Sequence, residues 1–479
     1  MDKKDLQKIS DWLWEIPKDF RKDMRVPARI YASEKILNEI EPDAFSQVIN
    51  TASLPGIVNY SLAMPDIHTG YGFVIGGVAA MDFKDGVISP GGVGYDINCG
   101  MRVLRSEYSE KEIRPHLEKL ATEIQNEVPS GLGQGRQIKS SVGEIEKILE
   151  DGAQRIVEQG CGEKEDLENC ESNGRLTNAD VSLVSERAKN RGRNQVGTLG
   201  SGNHFLEIQK VEEIFDETAA KAFGLFKDQV LVMIHTGSRG LGHQIATDYI
   251  RVMVNAMSKY GIKLPDRELA ACPIDSSEGK NYFTAMNCGA NYAWANRQAI
   301  THFIRKAWKS VLGDSGSKLK VVYDVAHNIA KIENHLVYGE EKKLIVHRKG
   351  ATRAFPPGHP EIPEKYREVG QPVLIPGSMG TASYILAGTK EGAEAWFSAC
   401  HGAGRTMSRH AAARAVSPQE LIKSLESKGI VIRCASPSGL AEEAPQAYKD
   451  IEGVVEVVHQ AGLSKKVARL KPLAVIKGE

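Results

Sequence analysis

The chain has 479 residues, 41% of them apolar, and its 61 basic residues balance its 61 acidic residues. This length suits two to four average domains or one large α/β unit. Because the charges balance, the protein has no overall electrostatic attraction to nucleic acid or membrane, and any such binding would require a local basic patch. The first 20 residues interleave charged and apolar side chains, so we expect no signal peptide. No run approaches the roughly 20 apolar residues that span a bilayer, and we predict a cytoplasmic protein without a membrane partner.

The N-terminal part of the chain changes character several times. Residues 1–50 predict a short amphipathic helix and then a mixed segment. Residues 54–105 are rich in glycine and β-branched residues, with Asp85-Gly86 as a hairpin signal. Apolar residues at helical spacing predict helices over 109–128 and 143–160. The acidic stretch 161–176 is expected to be an exposed loop, and the capping residues at 178–180 predict a further helix.

The remaining segments alternate between strands and helices. QVLVMIHTG (229–237) and VVYDVAHN (321–328) are apolar runs of strand length, which places His235 and His327 near strand ends. Long helices are predicted over 241–261 and 281–312, and a capped helix over 417–429 among short strands. We find no internal repeat or linker, so we predict one large catalytic domain over residues 1–479.

The seven cysteines are odd in number and irregularly spaced, which argues against a secreted disulfide scaffold. Only Cys161 and Cys170, which flank the acidic stretch, could form a local pair. Two surface thiols are the favoured interpretation of these residues.

Scattered segments carry soft or borderline metal ligands in apolar or glycine-rich surroundings. Each has an ordinary explanation alone: a free cysteine is usually an inert buried thiol, and a single histidine is usually a satisfied core residue. Together they predict a transition-metal site, and five ligands exceed one closed tetrahedron, which indicates two ions. Neighbouring Asn203, Glu207, Asp324 and Asn328 could fix the imidazole tautomers. The candidate ligands are Asp96, Cys99, His204, His235 and His327.

His401 lies in a different setting, a stretch without acidic residues from Trp396 to Gln419 that contains three arginines. Arginine forks and glycine backbone amides both suit phosphate. His401 is therefore either a nucleophile on phosphorus or a spectator in a phosphate clamp, and the pattern leaves both open. Basic residues near the candidate ligands are hypothesised to contact substrate phosphate, although a solvated face is their default explanation. They are Arg191, Arg239, Lys349 and Arg409.

Familiar nucleotide-binding motifs do not occur in the sequence: there is no GxxxxGK[ST] loop, no GxGxxG after a strand and no KxDG. A nucleotide would therefore bind by a less common route. The ordered motifs nevertheless closely resemble the RtcB family of RNA-splicing ligases over essentially the whole chain. The matching blocks are MPDIHTGYGFVIGG (64–77), PGGVGYDINCGMR (90–102), GTLGSGNHFLE (197–207), IHTGSRGLG (234–242), DVAHN (324–328), HRKGATRA (347–354), PGSMGTASY (376–384), CHGAGR (400–405) and AVIKG (474–478).

The resemblance implies a single mixed α/β domain with a β-rich core around a deep, metal-lined cleft. It implies a GTP-dependent ligase that uses two Mn²⁺ ions and joins RNA 3′-phosphate or 2′,3′-cyclic phosphate ends to 5′-hydroxyl ends, in tRNA splicing or RNA repair. The family's metal ligands correspond to the five candidate ligands, with Cys99 bridging the ions. The guanylylated histidine corresponds to His401, which Asp66 would orient. Further GTP contacts correspond to Asn203, Glu207, Asn328, Ser378, Ser383, Gly402, Ala403, Gly404, Tyr448 and Lys477.

The resemblance also implies a monomer, in many cases assisted by a small acidic activator protein, archease. The main rival hypothesis is a binuclear metal-dependent phosphodiesterase that acts on RNA ends without nucleotide. It would use the same ligand cluster but leave His401 and Lys477 without a role.

Overall fold

The computed structural model describes residues 5–131, 141–313, 318–434 and 436–478. The strands are β1 (Gln7–Ser10), β2 (Leu13–Ile16), β3 (Ala28–Tyr31), β4 (Ile57–His68), β5 (Ile75–Asp82), β6 (Val87–Ile88), β7 (Gly100–Ser109), β8 (Phe205–Ile214), β9 (Gln229–Thr236), β10 (Cys272–Pro273), β11 (Lys320–Ala326), β12 (Asn328–Val337), β13 (Glu340–Lys349), β14 (Ala351–Arg353), β15 (Pro372–Ile375), β16 (Ser383–Gly388), β17 (Ser398–Cys400), β18 (Val431–Cys434) and β19 (Ser464–Lys477).

The helices cover less of the chain, apart from two long ones. They are α1 (Glu34–Glu39), α2 (Pro42–Thr51), α3 (Glu110–Ile113), α4 (Leu117–Glu127), α5 (Val142–Asp151), α6 (Ala153–Glu158), α7 (Lys164–Glu168), α8 (Glu186–Gly192), α9 (Glu217–Phe223), α10 (Arg239–Ala256), α11 (Ser277–Leu312), α12 (Arg409–Ala415), α13 (Pro418–Ser427), α14 (Pro437–Glu442) and α15 (Ile451–Gln460). Within the described ranges, no helix is both long and apolar enough to cross a membrane.

Two large sheets form the framework, and the architecture is mixed α/β as predicted. One has seven strands in the order β1-β2-β3-β4-β5-β13-β12, and the other has the order β11-β7-β9-β8-β19-β16-β15, with β18 added on β19. β11 belongs to the second sheet and β12 to the first, and only His327 separates them. The chain therefore passes from one sheet to the other at a predicted metal ligand.

The predicted N-terminal helix is wrong. Residues 7–16 form a hairpin, β1 and β2, whose second strand pairs with β3 and extends the first sheet. The indole Nε1 of Trp14 donates to the Ala32 carbonyl at 3.0 Å. The apolar residues that suggested a helix therefore lie in strands at the edge of the first sheet. The hairpin predicted at Asp85-Gly86 is also wrong. The strand that follows this turn, β6, pairs with the distant β10 rather than with the preceding strand β5.

The acidic stretch 161–176 is not an exposed loop either. It contains α7, and two of its carboxylates are buried against cations from distant elements. Asp166 accepts from Arg305 of α11 at 2.6 Å, and Glu171 accepts from Lys331 of β12 at 2.6 Å. Cys170 in this stretch is buried and Cys161 partly buried, and both are free thiols, so they neither pair nor form two surface thiols.

The long central helices agree with the periodicity. α11 runs for 36 residues and packs its fully buried Trp294 and Trp308 into the core. α5 and α6 are separated at Gly152, whose φ of +60° suits glycine and accounts for the break inside one periodic segment.

Candidate metal centre and nucleotide cleft

Strand register brings the candidate ligands to one end of the second sheet. In the antiparallel neighbours β11, β7, β9 and β8, Ala326 lies opposite Gly100, Met101 opposite His235, and His235 opposite Phe205. Cys99 and His204 immediately precede β7 and β8, whereas His235 is near the end of β9 and His327 follows β11. Because neighbouring strands run in opposite directions, the starts of β7 and β8 and the ends of β9 and β11 lie at the same edge of the sheet. In a parallel sheet, this edge would contain strand ends only.

The donor atoms form two groups that share one thiol. The Cys99 Sγ lies 3.3 Å from the His235 Nε2 and 3.5 Å from the His204 Nε2. The His327 Nε2 lies 3.2 Å from the His235 Nε2, and the Asp96 Oδ2 lies 2.9 Å from the His204 Nε2. One group is Cys99, His235 and His327, and the other is Asp96, Cys99 and His204.

The chemistry of this donor set fits two metal ions. Burial and neighbouring imidazoles hold the pKa of His235 and of His327 well below the usual range, so both rings are neutral, the form that binds metal. Their Nε2 lone pairs nevertheless converge, which costs energy unless a proton or a cation lies between them. Burial and the Asp96 carboxylate raise the pKa of the Cys99 thiol, so a thiolate here requires a cation beside it.

The predicted outer partners of the imidazoles are wrong. The His204 Nδ1 lies 3.1 Å from the Leu199 carbonyl, and the Nδ1 atoms of His235 and His327 have no hydrogen-bond partner among the residues that the structure describes. Asp324 instead receives hydrogen bonds from two buried arginines, Arg102 and Arg297. The Nδ1 atom of His204 is therefore held by a backbone carbonyl rather than by a predicted side-chain partner.

Arg297 of α11 connects the segments that carry the ligands. Its Nη1 donates to the carbonyls of Asn98 and Thr236 at 2.9 Å each, and its Nη2 donates to the Asn98 side chain at 3.0 Å. Asn98 has a φ of +52°, and its amide also donates to the Ala290 carbonyl, so the turn between Asp96 and Cys99 is held from several directions. Sequence reasoning missed this arginine, because nothing local links residue 297 to residue 98.

His401 lies beside the cluster, directly after β17. Its ring centroid is 5.1 Å from that of His327. The Asp66 Oδ2 lies 2.6 Å from the His401 Nδ1 and accepts from the His401 backbone N–H at 3.0 Å. An ionised carboxylate only accepts, so Nδ1 carries the hydrogen and Nε2 keeps its lone pair.

A cleft of about 940 Å³, its open mouth included, lies in front of His401 and the cluster. Eight of the ten predicted GTP contacts line it, and Glu207 and Ser383 are buried nearby, both held by the Gln209 amide at 2.6 and 3.0 Å. The eight are Asn203, Asn328, Ser378, Gly402, Ala403, Gly404, Tyr448 and Lys477.

Two ionisable groups, Lys477 at the cleft and Glu207 buried nearby, have strongly shifted pKa values. Burial raises the pKa of Glu207 to about 8 and lowers the pKa of Lys477 to about 8. The two residues are close because β19 pairs with β8, with Lys477 opposite Phe205 and Val475 opposite Glu207.

Residues beyond the prediction also shape the cleft. Glu443 is buried and accepts from Arg405 at 2.9 Å, from Arg409 at 3.1 Å and from the Tyr448 hydroxyl. Only the absence of acids between residues 396 and 419 was visible in the sequence, so the arginines appeared unpaired. Their partner comes from the segment after α14, and no sequence signal pointed to it.

The four residues predicted to contact phosphate differ in how exposed their side chains are and in whether those side chains already have hydrogen-bond acceptors. Arg191 is exposed, and its Nη1 donates to Gln244 at 3.2 Å; Arg409 is half exposed. Arg239 is buried and donates to the Gly131 carbonyl at 2.8 Å. Lys349 donates to the carbonyls of Tyr71 and Phe73, and burial lowers its pKa to about 7.

The fold and the site together define a mixed α/β protein with a candidate two-metal centre beside an open cleft. The family described as tRNA-splicing ligase RtcB matches residues 47–478. The chain therefore belongs to the RtcB family. Relatives named tRNA-splicing ligase RtcB include those of Aeropyrum pernix (54% identical, covering 98% of this chain and 99% of the relative), Methanococcus maripaludis (53%, covering 99% and 100%) and Archaeoglobus fulgidus (54%, covering 99% and 99%).

Proposed function

We propose that this protein is an RNA ligase of tRNA splicing that joins a 3′-phosphate or 2′,3′-cyclic phosphate end to a 5′-hydroxyl end with GTP. Relatives of full length bear the name tRNA-splicing ligase, which supports the ligase class. The observation that carries the detailed proposal is the Asp66–His401 pair beside the donor cluster, at 2.6 Å. A carboxylate that holds Nδ1 leaves Nε2 directed away from it, and this supports the role of His401 as the nucleophile.

The donor set supports two Mn²⁺ ions, held by Asp96, Cys99 and His204 and by Cys99, His235 and His327. When bound, such ions neutralise phosphate oxygens and stabilise the leaving group. The shared Cys99 would bridge them. Imidazole, thiolate and carboxylate together suit a borderline transition metal better than magnesium.

The chemistry of the chain's own residues then follows in order. A cyclic phosphate is first hydrolysed to a 3′-phosphate. The Nε2 of His401 attacks the α-phosphorus of GTP, so that a P–N bond forms and the bond to pyrophosphate breaks. An oxygen of the RNA 3′-phosphate next displaces His401 and takes the guanylyl group. The 5′-hydroxyl finally attacks the RNA phosphorus, and GMP leaves as the phosphodiester forms.

Asp66 contributes by keeping the proton of His401 on Nδ1 during attack and by stabilising the positive charge that the ring acquires as the P–N bond forms. The ring returns to the neutral imidazole when that bond breaks. Lys477, Tyr448 and the backbone of residues 402–404 line the cleft where guanosine and its phosphates would lie. The exposed Arg191 and Arg409 are the better placed of the predicted residues to meet RNA phosphates. The buried Lys349 and Arg239 would reach a phosphate only by giving up their backbone acceptors.

A ligation assay separates this proposal from the phosphodiesterase hypothesis. RNA labelled on its 3′-phosphate is incubated with a 5′-hydroxyl RNA, MnCl₂ and GTP. We expect the label in a joined product, resistant to phosphatase, only when GTP is present. His401→Ala abolishes joining, whereas His410→Ala, an exposed histidine on α12, retains it. GTP-independent opening of cyclic ends with no joined product would support the phosphodiesterase instead.

A further inference from the structure

Three aromatic rings pack in series outside the cleft, and we call them the aromatic column. Tyr71 meets Tyr95 edge to face, with ring centroids 5.3 Å apart and an interplanar angle of 60°, whereas Tyr95 and His243 are stacked, with centroids 5.8 Å apart and an angle of 20°. Tyr71 and Tyr95 are partly buried, whereas His243 is exposed on α10. None of the three lines the cleft in front of His401.

The aromatic column lies at the Asp96 end of the donor cluster. Tyr95 immediately precedes Asp96, and Asp96 accepts from the backbone of Ser238 at 2.8 Å, just before α10 begins. His401 is at the other end, against His327. A ligand on the column is therefore separate from a nucleotide beside His401, yet next to the same donors.

Three arginines lie near the exposed ring, beside the Asp96 carboxylate. Arg191 donates to Gln244, the neighbour of His243, and the charges of Asp96, Arg191, Arg239 and Arg409 all act on the His243 ring. Single-stranded nucleic acid is bound by this combination of arginines that follow the backbone and rings that stack on bases. A protein partner would not require an isolated exposed ring at a metal centre.

The ring spacing decides how a base could bind. A base between two rings needs contact of roughly 3.5 Å on each face, about 7 Å in all, and both gaps are smaller. His243, the exposed member of the three, is therefore the ring on which a base could stack from outside. We propose that His243, backed by Tyr95 and Tyr71, is the stacking platform for the base of the RNA terminal nucleotide whose end reaches the donor cluster; this rests on the proposed function.

The test uses the whole protein with Mn²⁺ and RNA ends that carry the fluorescent base 2-aminopurine, placed at the 3′-phosphate terminus in one oligonucleotide and at the 5′-hydroxyl terminus in another. Stacking on His243 quenches one of them. His243→Ala removes the quench and weakens RNA binding roughly 5- to 100-fold, as expected for one stacked base. His243→Phe keeps both, because a ring remains.

A matched control is His302→Ala, which removes another histidine beside an aromatic ring, Phe303, and leaves RNA binding unchanged. RNA-free formation of the protein–GMP adduct also stays at the wild-type level in His243→Ala. Quench and RNA affinity that persist in His243→Ala would overturn the platform. A wild-type protein that forms no adduct would instead overturn the proposed ligase function, and the quench would still report on stacking.

Discussion

At the scale of single residues, Cys99 has the most demanding position, because its sulfur belongs to both donor groups. It is buried, and its backbone N–H donates to the Asp96 carbonyl at 2.9 Å, which closes a tight turn and points both side chains to one place. Loss of a terminal ligand would weaken one metal site. Loss of the shared thiol would weaken two.

We therefore expect Cys99→Ala to lose both ions rather than one. Titration calorimetry with MnCl₂ should show two sites in the wild-type protein and at least a 100-fold loss of affinity at each in the variant, since a direct ligand matters more than an outer contact. Cys272→Ala, which removes a buried thiol outside both groups, serves as the control. One site left at full affinity in Cys99→Ala would show that the thiol does not bridge.

At the scale of elements, α11 supports the centre from behind through Arg297. The same helix makes a second buried ion pair, between Arg305 and Asp166, which lies away from the donors. Comparing variants of the two arginines therefore distinguishes an effect on the donor cluster from an effect on the packing of α11. Removing either one leaves buried acceptors or charge without a partner.

We expect Arg297→Met and Arg305→Met each to lower the free energy of unfolding by about 3 kcal/mol, the range for a broken buried ion pair. Only Arg297→Met should also weaken Mn²⁺ binding, by roughly 10- to 100-fold, because the Asn98 turn loses its donors. Thermal unfolding without metal and calorimetry on the folded fraction measure the two effects. Equal metal affinity in both variants would mean that Arg297 acts on stability alone.

At the scale of the molecule, the centre lies where the two large sheets meet. Asp66 comes from β4 of the first sheet, and the cysteine and three histidines come from the edge of the second. The sequence pointed to the residues that converge here because each stands in a short motif with its own strand or glycine turn. It also predicted the long helices, whose periodicity is local.

What the sequence could not predict depends on distant pairing. Burial of Asp166 and Glu171 requires cations from α11 and β12, so a local acidic pattern was mistaken for a solvated loop. The N-terminal hairpin gains its stability from β3, and Glu443 pairs with Arg405 across 38 positions. Each of these contacts joins segments whose local composition indicates a different environment.

The central claim is that His401 forms a covalent bond to GMP at this centre. The most direct measurement is incubation of the protein with MnCl₂ and α-labelled GTP, without RNA, followed by denaturing electrophoresis. We expect a labelled protein whose bond is labile in acid and stable in alkali, as for a phosphoramidate, that is absent from His401→Ala and present in His410→Ala. An unlabelled wild-type protein, or equal labelling of His401→Ala, would contradict the account.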